Sequence, residues 1–262
     1  GGPNYLYGFG SLTPKEDAAP AVEPLGGARA DRDPHVTLPQ LVSLVEVARS
    51  VLAPSEAAQV ERACYNAERA DAQHLGRLND PSALVSERNV LRYLPAPATL
   101  RAEGTATLAD VLTVAAAAVA VGDFTFDENL GRLVRVAPGQ SPNYAVNTPT
   151  VTLSTDRPLP PEVEDWARAY GFVPAIESGE EFLTSLIENA GVDEIRVRAL
   201  GTSRALIQEA LGGDLRVAVW DGPATVAAGV EALPFLREQA ISVTNHRYGN
   251  PTGITADLLV ED

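Results

Sequence analysis

One feature constrains this chain more than any other. Between residues 90 and 246, short β-branched runs alternate with segments of helical period, joined by only a few residues. SERNVLRYLPAP (86–97), TVTLST (150–155), VPAIES (173–178), DEIRVRAL (193–200), DLRVAVWDG (214–222) and AISVTNH (240–246) have the length and composition of strands. Between them stand helices: ATLADVLTVAAAAVAVG (106–122), PLPPEVEDWARAYG (158–171), GEEFLTSLIENAG (179–191), TSRALIQEALGG (202–213) and most of PATVAAGVEALPFLREQ (223–239). A helix between successive strands returns the chain to the same end of the sheet. The sheet is therefore largely parallel and covered by helices, an α/β, Rossmann-like architecture.

The helices carry their own punctuation. The segment 106–122 is rich in alanine, which permits close approach to a sheet, and Gly122 suits its C-terminal cap. Gly191 closes the segment 179–191, and Thr202 or Ser203 caps the segment 202–213. Residues 123–149 read as a hairpin or an irregular excursion. Upstream, TLPQLVSLVEVARSVL (37–52) places Leu38, Leu41, Val45, Ala48 and Leu52 on one helical face, with Thr37 as N-cap and Pro39 in the first turn. A second helix starts at Pro54-Ser55 and ends near Gly76, with a thin stripe of Val60, Cys64, Ala67 and Leu75. Together, residues 37–80 form a helical hairpin that needs a partner surface. Residues 11–36, rich in Pro, Gly, Ala and charge, read as a linker.

Composition closes several doors. The chain has 262 residues, 45% of them hydrophobic, so it can bury a core. Its net charge of −15 argues against nucleic acid and anionic membranes, which require a basic surface. The longest apolar run, 111–121, is too short and too alanine-rich to span a bilayer. Lys15 is the only lysine and stands in a polar, Pro-flanked stretch, which disfavours Schiff-base and P-loop lysine chemistry. The single Cys64 permits no internal disulfide and fits a reducing, cytoplasmic setting.

Parallel sheets bind ligands at the carboxyl ends of their strands, commonly on a glycine-rich turn into a helix. The best such turn is LGTSRAL (200–206), which offers Gly201 and the hydroxyls of Thr202 and Ser203 but no GxGxxG. A phosphate-facing turn and a plainly capped helix both fit it. Cys64 sits on a helical face rather than in the exposed, electropositive setting of a nucleophile. His35, His74 and His246 are scattered, so a metal site has no support. The carboxylates spread over solvated helix faces without an acid–base pair.

Three successive segments carry a resemblance. AAAVAVGDF (116–124), VTLSTDRPLPP (151–161) and DEIRVRALGTSRALIQEAL (193–211) resemble the nucleotide-binding domain of the aldehyde dehydrogenase superfamily. That family has an alanine-rich helix ending in glycine, a strand into a Pro-rich turn, and a strand into a Gly-Ser/Thr phosphate turn. Where its members carry a ribose-gripping lysine, this chain has Ser154; where they carry a phenylalanine and two glycines, it has Ala199-Leu200 and Gly201 alone. No cysteine follows to serve as the catalytic thiol.

A narrower resemblance covers nearly the whole chain. GGPNYLYGFG (1–10) is similar to the last strand and exit of the glutamate semialdehyde dehydrogenase module of the proline utilization A family. SERNVLRYLP (86–95) and REQAISVTNHRYGNPTG (237–253) are similar to the opening and close of that family's C-terminal region. The resemblance implies that 1–10 is the tail of an upstream dehydrogenase module and 85–262 a degenerate dehydrogenase-like domain. FAD and NAD are implied for the parent, with no cofactor and no catalytic residue for this segment; Ser154, Gly201, Thr202 and Ser203 would be vestigial positions. The implied partners are the proline dehydrogenase and aldehyde dehydrogenase modules, with a homodimer left open. The implied role is accessory: supporting the dehydrogenase and sealing the passage that carries the intermediate. An NAD(P)-binding oxidoreductase domain and a stand-alone interaction domain are the alternatives.

Overall fold

The computed structural model describes residues 35–77, 79–80, 87–127, 132–136, 151–189, 194–244, 246–247 and 250–251. The segment 1–10, nearly all of the linker 11–36, Lys15 and Gly191 lie outside the described residues.

The chain enters through two helices, α1 (Pro39–Val51) and α2 (Pro54–Ala70), the latter running into a π-turn, Asp71–Leu75, that ends on Gly76. Proline occupies the first turn of each, where its missing N–H costs no helical hydrogen bond. Thr37 is not the cap of α1. The N-cap is Leu38, without a side-chain bond, and Thr37 instead donates its backbone N–H (2.8 Å) and its hydroxyl to the Glu68 carboxylate on α2. A cross-helix carboxylate thus outcompeted local capping. Leu41, Leu44, Val45 and Ala48 of α1 interlock with Val60, Ala63, Cys64 and Ala67 of α2, all buried.

Five parallel strands form the main sheet: β2 (Ala98–Ala102), β5 (Val151–Thr155), β6 (Phe172–Ile176), β7 (Ile195–Leu200) and β8 (Val217–Trp220), in the spatial order β6-β5-β2-β7-β8. The fold is Rossmann-like α/β, with helices on both faces. The central strand, β2, is the one that the sequence pattern does not announce. Two prolines precede it, Glu103-Gly104 follows it, and Arg101 interrupts its apolar run, yet Arg101 is fully buried.

Two expected strands lie outside this sheet. β1 (Glu87–Pro95) and β9 (Leu236–Thr244) pair antiparallel with each other, Val90 opposite Ile241 and Tyr93 opposite Glu238, as a separate ribbon. Both mix polar residues such as Arg92, Glu238 and Ser242 among apolar ones, which suits a partly wetted ribbon, whereas a buried parallel strand is apolar on both faces. The expected helix over 223–239 is also mostly replaced. Only Ala228–Glu231 (α7) and a 3₁₀ turn, Leu233–Phe235, are helical, and the ribbon begins at Leu236. Pro234 denies the ladder an N–H and stops propagation. Within 123–149, β3 (Asp123–Asp127) and β4 (Arg132–Val136) form an antiparallel pair; residues 137–149 lie outside the described residues.

The alanine-rich helix α3 (Leu108–Ala120) is the hub. It is buried on every side, packed between β2 beneath and α1 and α2 above, so the hairpin and one sheet face share a single core. Alanine provides the small surface that lets three layers approach this closely. α4 (Pro161–Ala169) joins the same core, and its Trp166 donates Nε1–H to the Gln40 carbonyl of α1 (3.2 Å). The opposite face is thinner. α5 (Gly179–Asn189) and α6 (Arg204–Ala210) set Phe182, Leu186 and Ile207 against Val197, Ala199, Val217 and Val219.

Candidate functional site

The fold directs attention to the carboxyl ends of β2, β5 and β7, where the sheet's connections enter α3, α4 and α6. Gly201, Thr202 and Ser203 lie together in the turn from β7 to α6, and Ser154 lies near the end of β5, two strands away. The sheet brings these positions to one edge, but Gly201, Ser203 and Ser154 are engaged by the chain itself.

Gly201 takes φ +79°, a left-handed conformation that favours glycine. A Cβ there would stand 1.8 Å from the Glu103 carbonyl oxygen and 3.1 Å from the Ala106 nitrogen. The glycine therefore admits the neighbouring β2–α3 turn, whose Glu103 N–H donates to Leu200 O (3.0 Å). Ser203 is the N-cap of α6, accepting from the Leu206 N–H at 3.3 Å. The next free donor, the Arg204 N–H, is taken by the Asp221 carboxylate at 2.8 Å. A helix end that already holds a carboxylate is a poor phosphate site. At an effective dielectric near 20, two unit charges about 4 Å apart repel by about 4 kcal/mol, several times the ~0.3–1 kcal/mol that a helix terminus offers an anion.

Ser154 is fully buried. Its Oγ accepts from Arg101 Nη1 (2.8 Å) and donates to Glu177 Oε1 (2.5 Å). Arg101 is fixed further by Glu103 Oε2 (2.6 Å from Nη2), by the Glu177 carbonyl (3.0 Å), and by the Phe182 ring 4.8 Å from its guanidinium carbon. Ser154 is thus a hub of a satisfied polar network, which explains how a core strand tolerates an arginine.

The rest of the edge follows the same pattern. The Gly104 N–H donates to Asp156 Oδ2 (2.8 Å), and Thr107 caps α3 in a reciprocal box with Asp110. Arg157 donates to the Gly104 and Ala106 carbonyls, at 3.0 and 2.9 Å, and pairs with Asp156. Glu181 caps α5 by accepting from the Ser178 N–H and hydroxyl, contacts that hold its carboxyl below its ordinary value. The crevice left between Thr107, Thr155 and Pro158 measures about 90 Å³, against ~300–1,000 Å³ for ligand pockets in general.

A larger hollow, which the sequence did not point to, lies elsewhere. Between α2 and the loop before α7, Asn66, Arg69, Ala70 and Gln73 face Thr225–Val230 across a cleft of about 320 Å³. The π-turn at its wall is the one local signal, since such turns gather at functional sites.

Cys64 is buried between α1 and α2, and burial, with Glu61 adding repulsion, pushes its thiol up to about 12. It is placed as a small hydrophobe. His35 precedes α1, His74 lies in the π-turn, and His246 belongs to a short strand pair with 250–251. Among the described residues, no three His, Cys, Asp or Glu converge as metal ligands, and no helix is long and apolar enough to cross a membrane.

No family model and no curated protein matches the chain. Among solved structures, Proline Utilization A (PutA) from Corynebacterium freiburgense aligns over 82% of this chain at 21% identity and a TM-score of 0.43. This chain spans 15% of that one. Histidinol dehydrogenase from Elizabethkingia anophelis aligns over 72% of this chain and 54% of its own, at 13% identity and a TM-score of 0.22. Likenesses this loose say nothing of activity, substrate or partner.

Proposed function

We propose that this chain is an accessory, non-catalytic region of a bifunctional proline-catabolic enzyme. In this reading it stabilises the dehydrogenase module and helps to close the passage through which the semialdehyde intermediate travels. The order of the sequence motifs supports the parentage. One structural observation supports the accessory role above all others: the strand-end edge, where a Rossmann-like fold holds its nucleotide, is occupied by the chain's own carboxylates. Asp221 sits on the α6 N-terminus, Asp156 on Gly104, and Glu177 on Ser154. A sheet filled in this way is a rigid wall rather than a cofactor cradle. A wall suits a passage that must keep a reactive aldehyde from bulk water.

The test is complementation. A proline dehydrogenase/aldehyde dehydrogenase chain truncated before this region is mixed with the present chain, and association and coupled proline-to-glutamate turnover are measured. The account expects a stable complex and recovery of coupled turnover without a lag. No association, or aldehyde oxidation by this chain on its own, overturns it.

A further inference from the structure

We infer that the cleft between α2 and the loop 225–230 binds a small organic monocarboxylate with an apolar tail. The inference does not rest on the parentage proposed above. At about 320 Å³ the cleft falls within the size range of small-molecule sites.

Its floor and rim are apolar. Ala70, Val226, Ala227, Ala228 and Gly229 line it, and Val230 stands 55% exposed at its edge, where an apolar tail would remove it from water.

Its walls are held in place from behind. Asn66 Nδ2 donates to the Val226 carbonyl (2.9 Å), tying the loop to α2. Glu231, itself buried, accepts from the Thr225 N–H (2.9 Å) and from Arg198 Nε (2.5 Å), while Arg198 also donates to the Gly222 and Pro223 carbonyls, at 3.1 and 3.2 Å. The Thr225 hydroxyl accepts from the Ala227 N–H (3.1 Å). A loop clamped at both ends keeps its shape without ligand, which reduces the ordering cost of binding.

Charge selects the ligand. Arg69 lines the cleft, with its guanidinium 5.6 Å from the Tyr65 ring centre and Nη1 donating to the Tyr65 hydroxyl (3.0 Å). Among the described residues it has no carboxylate partner, although the chain carries 35 acidic residues against 20 basic ones. The planar guanidinium retains donors for a carboxylate, and Gln73 supplies an amide beside it. The strand-end turns already hold carboxylates on their N–H groups; this cleft offers one a cation.

The probe is hexanoate, titrated calorimetrically into the full chain, with hexanamide as its uncharged counterpart. Hexanoate is expected to bind with a Kd between about 0.1 and 1 mM. Hexanamide and the Arg69→Gln chain are each expected to bind at least about tenfold more weakly, the loss of one charge-assisted contact. Val230→Asp, which leaves Arg69 in place, should weaken hexanoate as well, with the melting temperature of each variant checking its fold. Absence of hexanoate binding at millimolar concentration overturns the inference. So does equal binding of hexanamide, or an affinity indifferent to both substitutions.

Discussion

Two concavities of this molecule answer to opposite rules. The crevice at the carboxyl ends of the strands is where the architecture places ligands, yet it measures about 90 Å³, and in the turns along that edge Asp221, Asp156 and Asp110 take up the N–H groups of Arg204, Gly104 and Thr107. The cleft between the helical hairpin and the loop 225–230 has no precedent in the sheet's topology, yet it measures about 320 Å³ and presents Arg69. The difference teaches that a fold supplies a geometry while side-chain charge decides its use. The same strand-to-helix turns that could cradle a phosphate here satisfy their own N–H groups with carboxylates.

The comparison breaks most severely at the buried ion pair. Arg198→Met leaves Glu231 buried without its cation, an effect expected to cost about 3–5 kcal/mol in chemical denaturation. Because Glu231 also holds Thr225, hexanoate binding should fall with it, whereas the Arg198→Met, Glu231→Met double variant should recover most of the stability. If the single variant melts like the parent, the clamp on the cleft is not the one described.

Gly201→Ala strains the other concavity. The new Cβ meets the Glu103 carbonyl at a left-handed φ, and a loss of about 2 kcal/mol or more is expected. Hexanoate affinity should not change, which separates the two regions. An unchanged midpoint would mean that the β2–α3 turn does not press on Gly201.

The smallest effects are in pH. In the turn that enters β8, Asp214 is drawn down to about 2 by hydrogen bonds from the Arg216 side chain and backbone, and at the start of α5 Glu181 is lowered by Ser178. A lowered carboxyl contributes stability above its unfolded value of 3.8 and loses it as pH falls towards 2. In the ribbon that continues from the cleft, burial raises Glu238, and burial followed by Glu238 raises Tyr93. A raised carboxyl works the other way: its contribution is complete below the unfolded value and lost as pH rises through the folded one. Residue-resolved amide exchange between pH 3 and 6, about the carboxylate range, should show the 214–216 turn loosening at the acid end while the ribbon tightens. Parallel behaviour of the two would contradict these assignments.

Much of the fold was legible because its signals are local. Val151, Leu153 and Val197 announce buried strands, Ser203 and Pro161 announce helix starts, and the alanines of α3 announce close packing. What escaped depended on distant partners. β2 was hidden because Arg101 reads as surface until Ser154, Glu103 and Glu177 are brought around it. The ribbon was hidden because β1 and β9, well over 100 residues apart in sequence, pair only with each other. Of the site, the sequence pointed to Gly201, Thr202 and Ser203 as one turn and to Ser154 as a related position. Their occupation by Asp221 and Glu177, and the cleft under Arg69, are products of tertiary contact that no spacing encodes.

The central claim is that the strand-end edge is closed by the chain's own carboxylates. Titrating the full chain with NAD, followed by calorimetry, tests it most directly. The account predicts no saturable binding up to millimolar NAD; a micromolar dissociation constant, abolished by Gly201→Val in a chain that still folds, would contradict it.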